Sequence, residues 1–171
     1  MLNLATFSSL LEATAVAIAV VFGIIQVRQI RQERRRKAAY TLMRSLQTPE
    51  MLRALMILDS LPDDNSAQQI KEHFSGAPVD LQILFGTWES LGILVCRNEV
   101  PIDLVDDFYS GSIVHSWAKL KPIALEVRKK TERETRWEFF QWLAERMIER
   151  ERKTEPIPAY IEHRDWIPQK A

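Results

Sequence analysis

Residues Ala13 to Val27 read ATAVAIAVVFGIIQV, and the next ten read RQIRQERRRK. The first stretch is apolar and rich in helix formers. The second carries Arg28, Arg31, Arg34, Arg35, Arg36 and Lys37 against the single acid Glu33. Upstream, from Met1 to Val27, there is no Lys or Arg, and Glu12 is the only charged side chain. A bilayer core about 30 Å thick takes roughly 20 residues of helix at about 1.5 Å each. Ala5 to Val27 is long enough to cross. Ala13 to Val27 alone is a few residues short, which bilayer thinning or snorkelling of the flanks can absorb. The stretch therefore predicts a membrane span, and the rest of the chain reads as a domain attached to it.

Two other readings compete. A cleaved signal peptide carries a positive n-region, which is missing here, and the small-x-small triplets Ala13-Thr14-Ala15 and Ala17-Ile18-Ala19 lie inside the apolar run. A buried helix of a soluble protein has no need of a basic collar on one side only. With the collar on the inner side, the positive-inside rule sets the N-terminus outside and the remaining chain in the cytoplasm. The expected location is the inner (plasma) membrane, with a single pass.

One side of the span differs from the others. Ser8, Glu12, Ala15, Ala19, Gly23 and Gln26 follow one another at steps of three or four and share a helix face. Small residues on such a face let helices approach closely, and polar groups inside a membrane favour a protein partner over lipid. Glu12, Ala15, Ala19, Gly23 and Gln26 are thus a candidate membrane helix interface, for a second copy or another membrane protein. The plainer reading is that alanine is common here and Glu12 sits at the outer surface. The collar residues Arg28, Arg31, Arg34, Arg35, Arg36 and Lys37 are candidates for lipid headgroup contact, beside their simpler role in setting topology.

The chain of 171 residues suits one domain plus an anchor. Its one cysteine, Cys96, permits no internal disulfide, which fits a reducing compartment. Net charge is zero, yet unevenly spread. Residues 28–53 hold 8 basic and 2 acidic side chains, residues 54–113 hold 2 and 10, and residues 114–153 hold 11 and 7. Either acidic and basic segments face each other within one fold, or an acidic surface points away from the anionic leaflet toward a partner.

The first helix is expected to run to about Gln47, with Ala39, Leu42, Met43 and Leu46 on one face of its inner end. Thr48-Pro49-Glu50 predicts a capped restart, with Leu52, Leu55, Met56 and Leu58 inward. A short helix follows a Ser66 cap, and Ser75-Gly76-Ala77-Pro78 ends it. Val79 to Cys96 is the clearest core helix, with Leu81, Leu84, Trp88, Leu91 and Val95 at helical spacing and Cys96 read as a small core residue. A short helix capped by Asp103 is expected to end at the turn Ser110-Gly111-Ser112. The next carries Ile113, Trp117, Leu120, Ala124 and Val127, with Pro122 kinking it or shifting its start. A last helix from about Glu132 to Arg152 turns Trp137, Phe140, Leu143, Ala144 and Met147 inward. Beyond Glu155-Pro156-Ile157-Pro158 the chain is expected to be extended, as a docking strap or a motif for a partner.

No segment alternates with period two, so the fold class is all-α: one N-terminal transmembrane helix continuing into a cytosolic antiparallel helical bundle. The expected division is 1–27 anchor, 28–48 basic juxtamembrane extension, 49–153 bundle and 154–171 tail. No catalytic, cofactor or metal constellation emerges. His73, His115 and His163 are far apart, with neither Glu-x-x-His nor His-x-x-x-His spacing, and there is no Gly-rich phosphate loop. Asp103 and Asp107, one turn apart, are placed to share a proton or a cation, or to serve as cap and solvated surface. Trp137, Phe139, Phe140 and Trp142 sit among basic residues but at core spacing, so no nucleic-acid partner is expected.

The ordered pieces WESLGIL (88–94), DLVDDFYSG (103–111), WAKLKPI (117–123) and WEFFQWLAERM (137–147), behind a single span with a basic collar, resemble an uncharacterised family of small bacterial membrane proteins known only as a domain of unknown function. The resemblance implies the anchored helical architecture and the inner-membrane location. It implies no activity, cofactor or catalytic residue. The functional expectation is a non-enzymatic interaction module at the cytoplasmic membrane face, with the lipid bilayer as partner. The alternative is a ligand- or ion-sensing helical domain.

Overall fold

The computed structural model describes residues 4–153 and 157–167, with the side chains of 4–13, 35, 36, 39, 43 and 45 outside that description. The described chain is all-helical, with no strand among the described residues. It divides into two compact units, 1–46 and 47–171.

The first unit is one helix, α1, Leu4–Leu46. Nothing between Val27 and Leu46 stops it, since neither Pro nor Gly falls there. Leu42 and Leu46 are buried. The other two members of the expected inner face, Ala39 and Met43, lie outside the described side chains.

In the second unit, α2 (Pro49–Asp59) starts as its sequence predicts: the Thr48 hydroxyl accepts the N–H of Met51 at 3.2 Å, and Pro49 opens the helix. Its inward face differs from expectation. Met51, Ala54 and Leu58 are buried, whereas Leu52 and Met56 are exposed. With seven of eleven positions apolar, helical spacing alone allows either face. The contact with α4 selects one, and Arg53 on α2 reaches Asp80 there at 2.8 Å.

Ser66 and Gln69 form a reciprocal capping box at the start of α3 (Ala67–His73), which buries Ile70, with Phe74 buried just after it. The helix α4 (Pro78–Cys96) packs against α2, α5 and α6 and buries Leu84, Phe85, Trp88, Leu91, Gly92 and Val95. Asn98, at φ 57°, turns the chain off its end, an αL position that Asn tolerates well. Cys96 is exposed, correcting its reading as a core residue.

The helix α5 (Ile102–Thr131) is one unbroken element. The turn expected at Ser110-Gly111-Ser112 is absent, because Val105 and Ile113 are both buried on either side of it and packing outweighs weak local propensity. The helix also runs through Pro122. The carbonyl that Pro122 leaves unbonded belongs to the exposed Ala118, where water can satisfy it. Asp103 is not the cap; that position is Pro101.

The last long helix, α6 (Glu138–Lys153), begins six residues later than expected. The buried Arg128 explains the delay. Its Nε donates to the Arg136 carbonyl at 2.8 Å, one Nη to the Trp137 carbonyl at 3.2 Å and the other to Gln141 Oε1 at 2.6 Å. Residues 132–137 thus fold around a guanidinium, with Glu132 and Trp137 at positive φ. Phe140, Leu143, Ala144 and Met147 are buried, as their spacing predicts.

The tail is not extended throughout. Ala159–Glu162 forms a short helix, α7. Tyr160, Ile161, Trp166 and Ile167 are all exposed, so they do not cover the helical unit as a strap would. Glu155 and Pro156 lie outside the described residues.

Candidate membrane-contact helix

The segment Thr14–Arg34 of α1 is long and apolar enough to cross a membrane, and none of it is buried. Val16, Ile18 and Phe22 are each at least 60% exposed, and Val20, Val21, Ile24, Ile25, Val27 and Ile30 are exposed with them. At 100° per residue these positions cover every side of the helix. Such an all-round apolar helix needs an apolar environment. Scattered exposed apolar residues are ordinary in soluble proteins; a contiguous cylinder of them is not.

The candidate interface residues Ala15, Ala19, Gly23 and Gln26 are exposed on this helix, and a Cβ added at Gly23 would meet no atom within 4 Å. The side chain of Glu12 lies outside the described residues. Of the collar, Arg28, Arg31, Arg34 and Lys37 are exposed; Arg35 and Arg36 lie outside the description.

The helix α4 is also long and apolar enough to cross a membrane. Its Leu84, Phe85, Trp88, Leu91 and Val95, however, are buried in the core of residues 47–171. Its two acids have protein partners: Asp80 pairs with Arg53, and Glu89 Oε2 accepts the N–H of Phe140 at 2.8 Å. Burial holds the Glu89 carboxyl above its ordinary pKa. The backbone bond to Phe140 opposes this shift and the neighbouring Glu138 adds to it. The acid is thus a cap for α6, and α4 is a core helix.

Several other polar groups pair across the helical unit. Arg150 meets Asp106 at 2.6 Å and Asp103 at 2.8 Å, and the Asp106 bond is the first cause of an Arg150 pKa above its ordinary value. Asp103 is therefore committed to a guanidinium, while Asp107 is exposed. Buried Lys119 donates to the carbonyls of Leu58 (3.3 Å), Asp59 (3.4 Å) and Leu61, closing the C-terminal end of α2. His73 Nε2 lies 3.0 Å from the Ile57 carbonyl and from Ser60 Oγ, and His115 Nε2 lies 3.2 Å from Asp59. Among the described residues no three His, Cys, Asp or Glu side chains gather as a metal site would require. Trp137 stacks on Phe85 at 4.0 Å, with the Arg136 guanidinium 4.9 Å from its ring.

Sequence reasoning missed Glu89, Lys119 and Arg128, whose partners are helix ends. Part of the uneven charge is matched inside the fold: Arg53–Asp80, Lys119–Asp63 and Arg150–Asp103 join acidic and basic segments. No curated protein and no solved structure matches the chain. A family model described as a domain of unknown function (DUF4760) matches residues 13–147, a stretch that takes in both the bare apolar segment and the helices α2 to α5, and the chain belongs to that family.

Proposed function

We propose that this protein is a single-span, membrane-anchored, non-enzymatic interaction module. On this reading α1 crosses the inner membrane between about Ala5 and Val27 with its N-terminus outside. Residues 28–48 continue it into the cytoplasm, and residues 49–153 form an antiparallel helical bundle there. The observation that carries the reading is the complete exposure of an apolar cylinder from Thr14 to Val27 in a chain whose other apolar helices are packed. Moving the eight exposed apolar side chains from Val16 to Val27 out of water is worth on the order of 10–20 kcal/mol. The one-sided collar supports the orientation. Glu89, Lys119, Arg128 and Arg150 cap helix ends or pair helices within the unit, which supports a scaffold reading.

The natural Cys96 supplies a topology test, because it is the chain's one cysteine and is exposed. A membrane-impermeant maleimide should label it only after the membrane is opened. In a Cys96→Ser background, Asn3→Cys, which precedes the span, should be labelled in intact cells. Labelling of Cys96 in intact cells contradicts the orientation.

A further inference from the structure

The collar has a geometry that topology alone does not require. Arg28, Arg31, Arg34 and Lys37 follow at steps of three, so each stands about 60° behind the last, and together they sweep roughly half the helix circumference over about 13 Å of its length. All four are exposed. None makes an ion pair among the described residues, and even Glu33, one turn before Lys37, is not within pairing distance of it. Elsewhere the chain brings cations to carboxylates closely: Arg53, Lys71 and Arg150 each lie within 2.8 Å of one. Like charges at i and i+3 repel along a helix, and here three such pairs occur in succession. A helix that stays unbroken through them is best served by counter-charge from outside.

We propose that Arg28, Arg31, Arg34 and Lys37 form a spiral binding site for the anionic headgroups of phospholipids, an inference that rests on α1 being a span. Arg28 directly follows the apolar Val27, and the exposed Ile30 lies inside the collar, so the cations abut a lipid-like surface. That juxtaposition fits a bilayer phosphate layer and does not fit a nucleic acid, whose groove offers no bed for a bare apolar helix. The headgroup layer of one leaflet is about 5–7 Å deep, and its potential reaches roughly 10 Å further at 0.1 M salt. Arg28 and Arg31 then lie at phosphate depth, where guanidinium pairs phosphate oxygens through two N–H donors. Arg34 and Lys37 lie in the diffuse layer beyond.

The test uses the full chain reconstituted into phosphatidylcholine vesicles and, separately, into vesicles of phosphatidylcholine and phosphatidylglycerol mixed equally. Vesicles are washed at alkaline pH, and the lipid retained by the protein after mild detergent extraction is quantified by mass spectrometry. The ratio of retained phosphatidylglycerol to phosphatidylcholine should exceed the input ratio of one by about threefold or more, since each cation near the surface favours anionic lipid. The enrichment should fall at least by half in the variant Arg28→Gln/Arg31→Gln/Arg34→Gln/Lys37→Gln, which keeps Arg35 and Arg36 and whose helical content by circular dichroism should be unchanged. Retention at the input ratio by the wild type, or undiminished enrichment in the variant, overturns the headgroup site while leaving the span intact. Loss of the protein from pure phosphatidylcholine vesicles on alkaline washing contradicts the span itself.

Discussion

Glu89 on α4 accepts the backbone N–H of Phe140 on α6 at 2.8 Å, so a carboxylate 51 residues away caps the first turn of that helix. The same two helices meet at Gly92. Within one turn of α4, a charge and a missing side chain together fix where α6 begins.

The cap makes a prediction with a definite sign. Because burial is the largest cause of the raised Glu89 pKa, the ionised form is the one the fold disfavours. Glu89→Gln keeps an acceptor and removes the charge, so it should leave stability at pH 7 unchanged or slightly higher. Glu89→Ala removes the cap and should cost about 1 kcal/mol. A raised folded-state pKa contributes stability that is full below the unfolded value of 4.5 and is lost as pH rises through the folded value. Denaturant titrations from pH 7 toward 4.5 should therefore show the wild type gaining on Glu89→Gln as pH falls. A widening deficit would contradict the assignment.

A Cβ at Gly92 would stand 2.3 Å from the Phe139 carbonyl oxygen, and backbone cannot swing aside as a side-chain tip can. Gly92→Ala should destabilise by about 1–3 kcal/mol. Gly86, also within α4, has no atom within 4 Å of such a Cβ. Gly86→Ala should stabilise by up to about 1 kcal/mol through helix propensity. Thermal melts of the two variants should move in opposite directions.

Lys119 is the buried donor for three carbonyls at the end of α2. Lys119→Met keeps the aliphatic stem but removes the side-chain donor from the Asp59 and Leu61 carbonyls, while Leu58 keeps its bond from the Leu61 N–H, at a cost of about 1–3 kcal/mol. Hydrogen exchange should locate the loosening in α2 and in residues 60–63. A uniform loss across the unit would point to packing instead.

Arg150 couples α5 to α6 through Asp103 and Asp106. The groups are partly exposed, so a double-mutant cycle of Arg150→Ala with Asp106→Asn should give a coupling of about 0.5–1 kcal/mol. Addition of calcium or manganese should leave the melting temperature unchanged, because the two carboxylates already hold a cation. A metal-dependent rise would revive the ion-sensing alternative.

The elements set by short-range signals are those that reading the chain could find. Thr48-Pro49, the Ser66 cap and the spacing of Leu84, Trp88, Leu91 and Val95 each act within a turn or two, and each appears in the structure. The elements decided at long range are those it missed. Seven apolar residues on α2 leave its inner face ambiguous until α4 is present. Packing at Val105 and Ile113 carries α5 through Ser110-Gly111-Ser112. Asp103 looked like a cap because its partner, Arg150, is 47 residues away. The apolar run of α1 was readable from composition alone, but its lack of any protein cover was visible only in the folded chain.

The central claim is that lipid surrounds α1 from Thr14 to Val27. Single spin labels at successive positions there, in the full chain in phosphatidylcholine bilayers, test it by collision with oxygen and with a polar nickel chelate. The account predicts high oxygen and low nickel access on every side of the helix, with nickel access rising beyond Arg31. Low access to both reagents around most of the circumference would mean that protein, not lipid, encloses the helix, and would contradict the account.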